Sequence, residues 1–275
     1  MTDMECVAGV VTLPEYCLPG PDNKYGRREG GRYYEHAREL ATLEVNAAVD
    51  GLLEAGASEV LVHDGHGPGG LNVSLLHSKA RMLTGRGKWW PIGLDRSFDA
   101  AIMIGQHARA NTDGGHLCHS GSFDRDDWTL NGRSVGEIEL YMLMAAYFDV
   151  PTVMISGDAA ACEQAREFVP SIVGVAVIEG QSRGSSKGMT LDEAIDLNVP
   201  AIHAAPTMAR RMIQEGARRC LKNVDQVERY WVDPPYEMIR LSRPRPDGTR
   251  QRSVATADDY LDVMMQKPQY ETVPA

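Results

Sequence analysis

Three short apolar runs in this chain each end in a loop of glycine, histidine or acidic residues. Glu59-Val60-Leu61-Val62 stops at His63-Asp64-Gly65-His66-Gly67, Asp99-Ala100-Ala101-Ile102-Met103-Ile104 stops at Gly105-Gln106-His107, and Pro151-Thr152-Val153-Met154-Ile155 stops at Ser156-Gly157-Asp158. Unbroken apolarity over so few residues predicts parallel strands covered on both faces. Elsewhere the period is helical. Across residues 32–55, Leu40, Leu43, Ala47, Val49 and Leu53 fall on or near one stripe, and Gly56 supplies the stop. Further helices are predicted over 135–148, 159–168 and 206–221, the last following the punctuation of Pro200 and Pro206. A strand over 236–241 and a helix over 256–266, capped by Thr256 with Asp259 three residues later, complete the reading. Strands alternating with helices imply an α/β fold, a mainly parallel sheet flanked by helices, with a C-terminal α/β portion.

Punctuation marks the rest. Residues 14–31 carry Pro14, Pro19, Gly20, Pro21, Gly26, Gly30 and Gly31 and are expected to form a long loop. Gly, Ser and charged residues cluster over 180–198, which divides the chain into a portion 1–180 and a portion 181–275 that completes the fold or makes oligomer contacts. The tail, 267–275, is expected to be loose or wrapped on a neighbour.

Composition narrows the class. The chain has 275 residues, 43% of them hydrophobic, enough for a sizeable core. A net charge of -10 argues against a nucleic-acid surface. The arginines 240, 243, 245, 250 and 252 are interrupted by Pro244, Pro246 and Gly248, and are expected in a solvated hairpin or loop rather than a polyanion site. Five cysteines, Cys6, Cys17, Cys118, Cys162 and Cys220, show no paired short spacing, which predicts reduced thiols and a cytoplasmic protein. No apolar stretch approaches the roughly 20 residues of a membrane span.

Ligands of open α/β sheets bind beyond the carboxyl ends of the strands, where His66 and His107 fall. Asp3 and Glu5, two residues apart, leave the same face of an extended chain, a spacing that suits two oxygen ligands of one centre. Each residue also has a plainer reading. His66 lies among Gly65, Gly67, Gly69 and Gly70, but the residue order fits neither nucleotide-binding glycine motif. His107, His116 and His119 each serve equally well as ligand, proton carrier or loop cap. Cys118 as a nucleophile has no particular support. Ser134-Val135-Gly136-Glu137 has the form of a capping box, in which Glu137 needs no metal. Trp89, Trp90, Trp128 and Phe123 either pack or shape a pocket.

Taken together these residues resemble a known family, the M55 metallopeptidases or D-aminopeptidases. The likeness is carried by Asp3-Met4-Glu5, Glu44-Val45-Asn46-Ala47-Ala48, Asp64-Gly65-His66, Gly105-Gln106-His107-Ala108-Arg109-Ala110, His119-Ser120, Asn131-Gly132-Arg133-Ser134-Val135-Gly136-Glu137 and Ser156-Gly157-Asp158. It continues more loosely into Ser182-Arg183-Gly184-Ser185-Ser186-Lys187 and weakens beyond about Val224. The resemblance implies a peptidase with two zinc ions, Mn2+ or Co2+ being alternatives, bound by Asp3, Glu5, His66, His107 and Glu137, with His119 as the catalytic histidine. It also implies release of N-terminal D-residues such as D-Ala from short peptides, and a homo-oligomer of the pentameric-ring decamer type. Other expectations in the same frame are hydrolysis of a non-peptide amide, or a non-catalytic metal-binding homologue. Asp64 is expected to orient an imidazole or its loop.

The chain departs from the family pattern at Met1 and Thr2, which stand alone before Asp3 where an apolar strand is usual. A trimmed chain or a misassigned start is the expectation there, with weaker anchoring of Asp3 and Glu5. Cys6 replaces a usual glycine and is expected to be a small buried substitute. The loop before His119 is one residue longer than usual.

Overall fold

The structure, a computed structural model, describes residues 1–20, 31–85, 93–222 and 224–275. Trp89, Trp90 and most of the expected 14–31 loop lie outside them. A π-helical turn, Leu13–Cys17, precedes helix α1 (Tyr34–Glu54), which forms where the helical stripe predicts. Strand β1 (Val60–His63) pairs in parallel with β2 (Ala80–Leu83). Next come β3 (Ala101–Gln106), β4 (Arg125–Leu130), β5 (Arg133–Ser134), α2 (Glu137–Tyr147), β6 (Thr152–Asp158) and α3 (Ala159–Phe168). The chain continues through β7 (Val173–Gly180), α4 (Leu191–Leu197), β8 (Ala201–His203) and α5 (Pro206–Cys220). It ends with β9 (Tyr236–Ser242), β10 (Thr249–Ala257), α6 (Tyr260–Met265) and β11 (Tyr270–Pro274).

The apolar runs at 59–62, 99–104 and 151–155 become β1, β3 and β6. Strands β3, β6 and β7 are parallel neighbours, and β8 closes that sheet antiparallel, in the order β3-β6-β7-β8. Every residue of β6 is buried, as an unbroken apolar run requires. The N-terminal stub links the parallel pieces. Thr2 bridges Asp64 and Ile104 in parallel, its N–H donating to the His63 carbonyl while the Asp3 N–H donates to that of Ile104 at 2.8 Å. Asp3 is therefore fixed by backbone bonds between the ends of β1 and β3.

A separate antiparallel sheet runs β11-β10-β9-β4-β5. It draws β4 and β5 from before residue 180 and its other strands from after it. Three expectations are corrected in this region. Thr256 lies in β10, so it caps nothing; Asp259 caps α6, accepting the N–H groups of Leu261 and Asp262 at 2.8 and 3.2 Å. The tail pairs with β10 as β11 instead of lying loose. The arginine-rich segment does form a hairpin, β9–β10, but Arg240 and Arg243 are buried. Arg240 stacks on Trp128, with Arg125 over the same ring, so this tryptophan serves a cation–π stack in the sheet.

Candidate metal centre

Close approach of backbones builds the site. Gly105 adopts φ +76, and a Cβ there would lie 2.3 Å from the Asp3 carbonyl oxygen. Only glycine lets β3 pass this near the N-terminal stub. Gly157 plays the same part on β6, since its Cβ would meet the Gln106 carbonyl at 2.1 Å.

On this frame the Asp3, Glu5, His66, His107 and Glu137 side chains converge. His66 Nδ1 lies 3.1 Å from Asp3 Oδ1 and 3.2 Å from Glu5 Oε2. His107 Nε2 lies 3.4 Å from Asp3 Oδ2 and 3.0 Å from Glu137 Oε2, yet aligns with neither as a hydrogen bond. The other nitrogen of each ring meets a backbone carbonyl, His66 Nε2 at Cys17 (2.7 Å) and His107 Nδ1 at Ala108 (2.9 Å). A nitrogen facing a carbonyl is an N–H donor, so the second nitrogen of each ring faces the carboxylates, carrying a proton when the ring is charged and offering a lone pair to a metal when it is neutral. Orientation of imidazoles by an outer acceptor is the usual arrangement around a metal. The orphaned His107 Nε2 and a donor set of three carboxylates and two imidazoles therefore fit divalent zinc.

Among the described residues two overlapping sets of ligand atoms are compact enough for an ion, Asp3-Glu5-His107 and His107-His119-Glu137. His107 belongs to both. His119 stacks on His107 at 3.8 Å between ring centroids, and Phe123 stacks on its other side at 4.4 Å. Its Nδ1 donates to the Leu117 carbonyl at 3.0 Å, leaving Nε2 as the acceptor nitrogen. Phe123 is thus at the site, as one sequence reading had it.

Charge is unevenly held in the cluster. Burial opposes ionisation of Asp3, but the His107 and His66 imidazoles outweigh it and hold the carboxyl well below the usual range. Glu137 is likewise brought down to about 2, burial being overcome by the His107 charge. His66 and His107 are raised well above the usual imidazole value, because Glu5 and Glu137 respectively overcome the cost of burial.

The local ambiguity at Glu137 is resolved by Glu139. Helix α2 begins at Glu137 with Gly136 as its N-cap, and the Glu139 carboxylate accepts the Gly136 N–H at 2.8 Å. Ser134, the expected cap, lies in β5 and donates to Asp127 Oδ1 instead. Glu137 is released toward His107, while its Oε2 also accepts the Gly121 N–H.

Neighbouring residues take supporting places. The Asp64 carboxylate accepts the N–H groups of Gly70 and Leu71 and so braces the loop that carries His66. His116 joins neither ligand set; its N–H donates to Asp158 Oδ2, and its ring meets the Val10 carbonyl. Cys6 is buried, its thiol donates to the His116 carbonyl, and burial raises its pKa, as befits a small neutral replacement. Cys118 is also buried with its pKa raised, which disfavours a nucleophilic thiolate.

Sequence reasoning missed Glu44 as a structural group. It is buried on α1, and its Oε1 accepts the Ala8 N–H at 2.9 Å, tethering the segment that follows Glu5. Burial raises its carboxyl to about 8. The folded state therefore holds this proton more tightly than the unfolded chain, so stability is lost as pH rises between the unfolded value and about 8. Glu44→Gln is expected to keep the tether and flatten that loss, whose slope is at most about 1.4 kcal/mol per pH unit. Thermal denaturation of both proteins from pH 5 to 9 checks this; parallel curves would refute it.

The comparisons agree with the geometry. A family model for the M55 peptidases, described as D-aminopeptidase, matches residues 1–245. A D-aminopeptidase of Bacillus subtilis (strain 168) is 32% identical over 229 residues, spanning 82% of this chain and 74% of that protein. The solved structure of the Zn-dependent D-aminopeptidase DppA from Bacillus subtilis, a self-compartmentalizing protease, superposes with a TM-score of 0.75 at 27% identity, covering 96% of this chain and 92% of that one. With the family model spanning most of the chain and the fold shared end to end, this protein belongs to the M55 D-aminopeptidase family of metallo-aminopeptidases.

Proposed function

We propose that the protein removes N-terminal D-residues, D-alanine among them, from short peptides at a centre of two zinc ions. Asp3, Glu5, His66, His107 and Glu137 would hold the metal, the two Asp3 oxygens facing different imidazoles. When bound, such a pair supplies Lewis acidity that polarises a scissile carbonyl and acidifies water. The observation that carries this reading is the pair of imidazoles locked by the Cys17 and Ala108 carbonyls with their second nitrogens turned to the carboxylates.

His119 is the proton carrier in this scheme. Its Nδ1–H is committed to Leu117, so Nε2 accepts the proton lost by the attacking water and returns it to the departing amine. Stacking between His107 and Phe123 fixes the plane of the ring and covers both of its faces. The segment carrying His119 is anchored as well, its N–H donating to the Ala108 carbonyl beside His107.

The deciding experiment is turnover of D-Ala-D-Ala and L-Ala-L-Ala by zinc-loaded protein, with His119→Ala as control. Hydrolysis confined to the D-peptide and lost in the variant is expected. Bound zinc with neither dipeptide cleaved would defeat the peptide assignment and favour a non-peptide amide.

The DppA likeness also supports assembly, and we place the protein in a decamer of two pentameric rings. Light scattering should then give about ten times the 30.2 kDa chain mass. A monomer or dimer at working concentration would exclude it. All five cysteines are free and buried, which suits a cytoplasmic setting. Among the described residues no helix is long and apolar enough to cross a membrane.

A further inference from the structure

The antiparallel sheet carries a row of side chains whose donors have nothing to donate to. Across β4, β9, β10 and β11 the register sets Trp128 opposite Arg240, Arg240 opposite Ser253 and Ser253 opposite Tyr270. Directly opposed residues leave a sheet on the same face, so these side chains stand in line across it. Trp128 Nε1, Arg240 Nη1 and Ser253 Oγ are buried atoms without a hydrogen-bond partner. An indole N–H and a guanidinium can only donate, and a hydroxyl can do so too. An anionic oxygen would satisfy the row.

Arg240 is its costly member. It is 6% exposed, and among the described residues no carboxylate lies within ion-pair distance of it. The charged groups that bear on it are Arg125, which repels it, and Tyr270; burial and Arg125 together bring its pKa down to about 10. The Trp128 ring, centred 5.0 Å from the guanidinium carbon, offers a quadrupole but no acceptor in line with the N–H groups. Arg243 makes the contrast, since that buried arginine has Asp126 at 3.6 Å and donates to the carbonyls of Phe123 and Ser186. A buried charge with no counter-charge destabilises a fold, so Arg240 is placed against its own cost.

The row reaches the metal centre through the indole. Arg125 stacks over the same ring at 4.7 Å and donates from Nη1 to the Ser120 carbonyl at 2.8 Å. Gly121 has φ +70, and a Cβ there would lie 2.9 Å from the Trp128 ring. Ser120 and Gly121 directly follow His119, and the Gly121 N–H donates to Glu137 Oε2 at 3.1 Å. One indole thus joins the segment of the proton carrier to Arg240.

We propose that Arg240, Trp128 and Ser253 form a carboxylate subsite that takes the C-terminal carboxylate of the short peptide whose first residue lies at the metals. This rests on the peptidase reading. A carboxylate matches the planar guanidinium fork, has lone pairs for the indole and hydroxyl donors, and offsets the repulsion between the two arginines. The subsite would also select length. Each added residue of an extended peptide moves the carboxylate by about 3.3 Å and leaves a neutral amide in its place, which cannot answer the charge.

The test pairs D-Ala-D-Ala and D-Ala-D-Ala-D-Ala with their C-terminal amides, in turnover by zinc-loaded protein and in calorimetric binding to its His119→Ala variant. At one length or both, the acid is expected to be preferred by about 30-fold or more, the size of a charge-assisted hydrogen bond. The preference should lie in KM rather than kcat, because the contact is made equally in the ground and transition states. Arg240→Met should erase it by weakening the acid, and Arg240→Lys should keep part of it. Without ligand, Arg240→Met should show no fall in Tm, since it removes an unpaired charge. Equal KM and equal binding for acid and amide at both lengths would overturn the subsite and leave the peptidase reading standing. An Arg240-dependent preference in binding, with no peptide cleaved, would do the reverse. A Tm lowered by about 5 °C or more in Arg240→Met, with the acid preference intact, would make the arginine a structural stack and overturn the subsite as well.

Discussion

Replacing His107 with alanine should remove bound zinc and lower kcat/KM by about 10³-fold or more, while the fold survives. Its ring is the one group shared by both compact ligand sets, so a single substitution dismantles each of them. Metal-assisted polarisation contributes several kcal/mol to such reactions, and each 1.36 kcal/mol is a factor of ten in rate. The imidazole also supports His119 by stacking at 3.8 Å, so restoring metal at high zinc should not restore the rate. His116→Gln is the matched control: an equally buried histidine whose ring meets the Val10 carbonyl and the edge of His203. Zinc analysis and dipeptide kinetics on the two proteins settle the matter. Full zinc content in the His107 variant, or equal loss in both variants, would defeat the assignment.

The legibility of this centre in the sequence was uneven for physical reasons. His66 and His107 could be placed because each follows a short apolar run, and buried parallel strands deliver their final residues to one edge. Glu137 could not be placed by local spacing. Serine and glutamate at 134 and 137, and the backbone N–H and glutamate at 136 and 139, satisfy the same three-residue interval, and only the start of α2 decides between them. The Cys17 carbonyl that orients His66 was invisible, since a main-chain acceptor 49 residues away carries no side-chain signature.

The antiparallel sheet was hidden more deeply. β4 reads Arg-Asp-Asp-Trp-Thr-Leu, too polar for a buried strand, because it faces arginines of β9 and β10 rather than an apolar layer. The same fact explains why the C-terminal arginines looked like a solvated loop. Arg243 and Arg250 are matched by Asp126 and Arg240 by the Trp128 ring, both contributed by residues more than a hundred positions earlier. Periodicity records which residues avoid water, but it does not record which buried charges have found partners.

That buried charge cluster carries the second large prediction. Asp126 is 1% exposed and lies 3.6 Å from Arg243 and 3.2 Å from Arg250, while its Oδ1 accepts the Gly188 N–H at 2.9 Å. Arg243, also buried, donates to the carbonyls of Phe123 and Ser186, each at 2.8 Å. Asp126→Ala leaves two guanidinium groups without their counter-charge, and breaking a buried pair in this way costs about 3–5 kcal/mol. For a chain of this size the expected fall in Tm is about 10 °C. The effect should reach the active site through Phe123, whose carbonyl Arg243 holds and whose ring stacks on His119. Because Asp126 touches no proposed metal ligand, zinc content should stay at the wild-type level while kcat falls. Adding Arg243→Met to Asp126→Ala should recover part of the stability, since the uncompensated charge goes with it, giving a coupling of about 1–3 kcal/mol in the double-mutant cycle. Additive losses would show that the two residues act independently, and parallel loss of zinc and kcat would show that the cluster shapes the metal centre rather than the proton carrier.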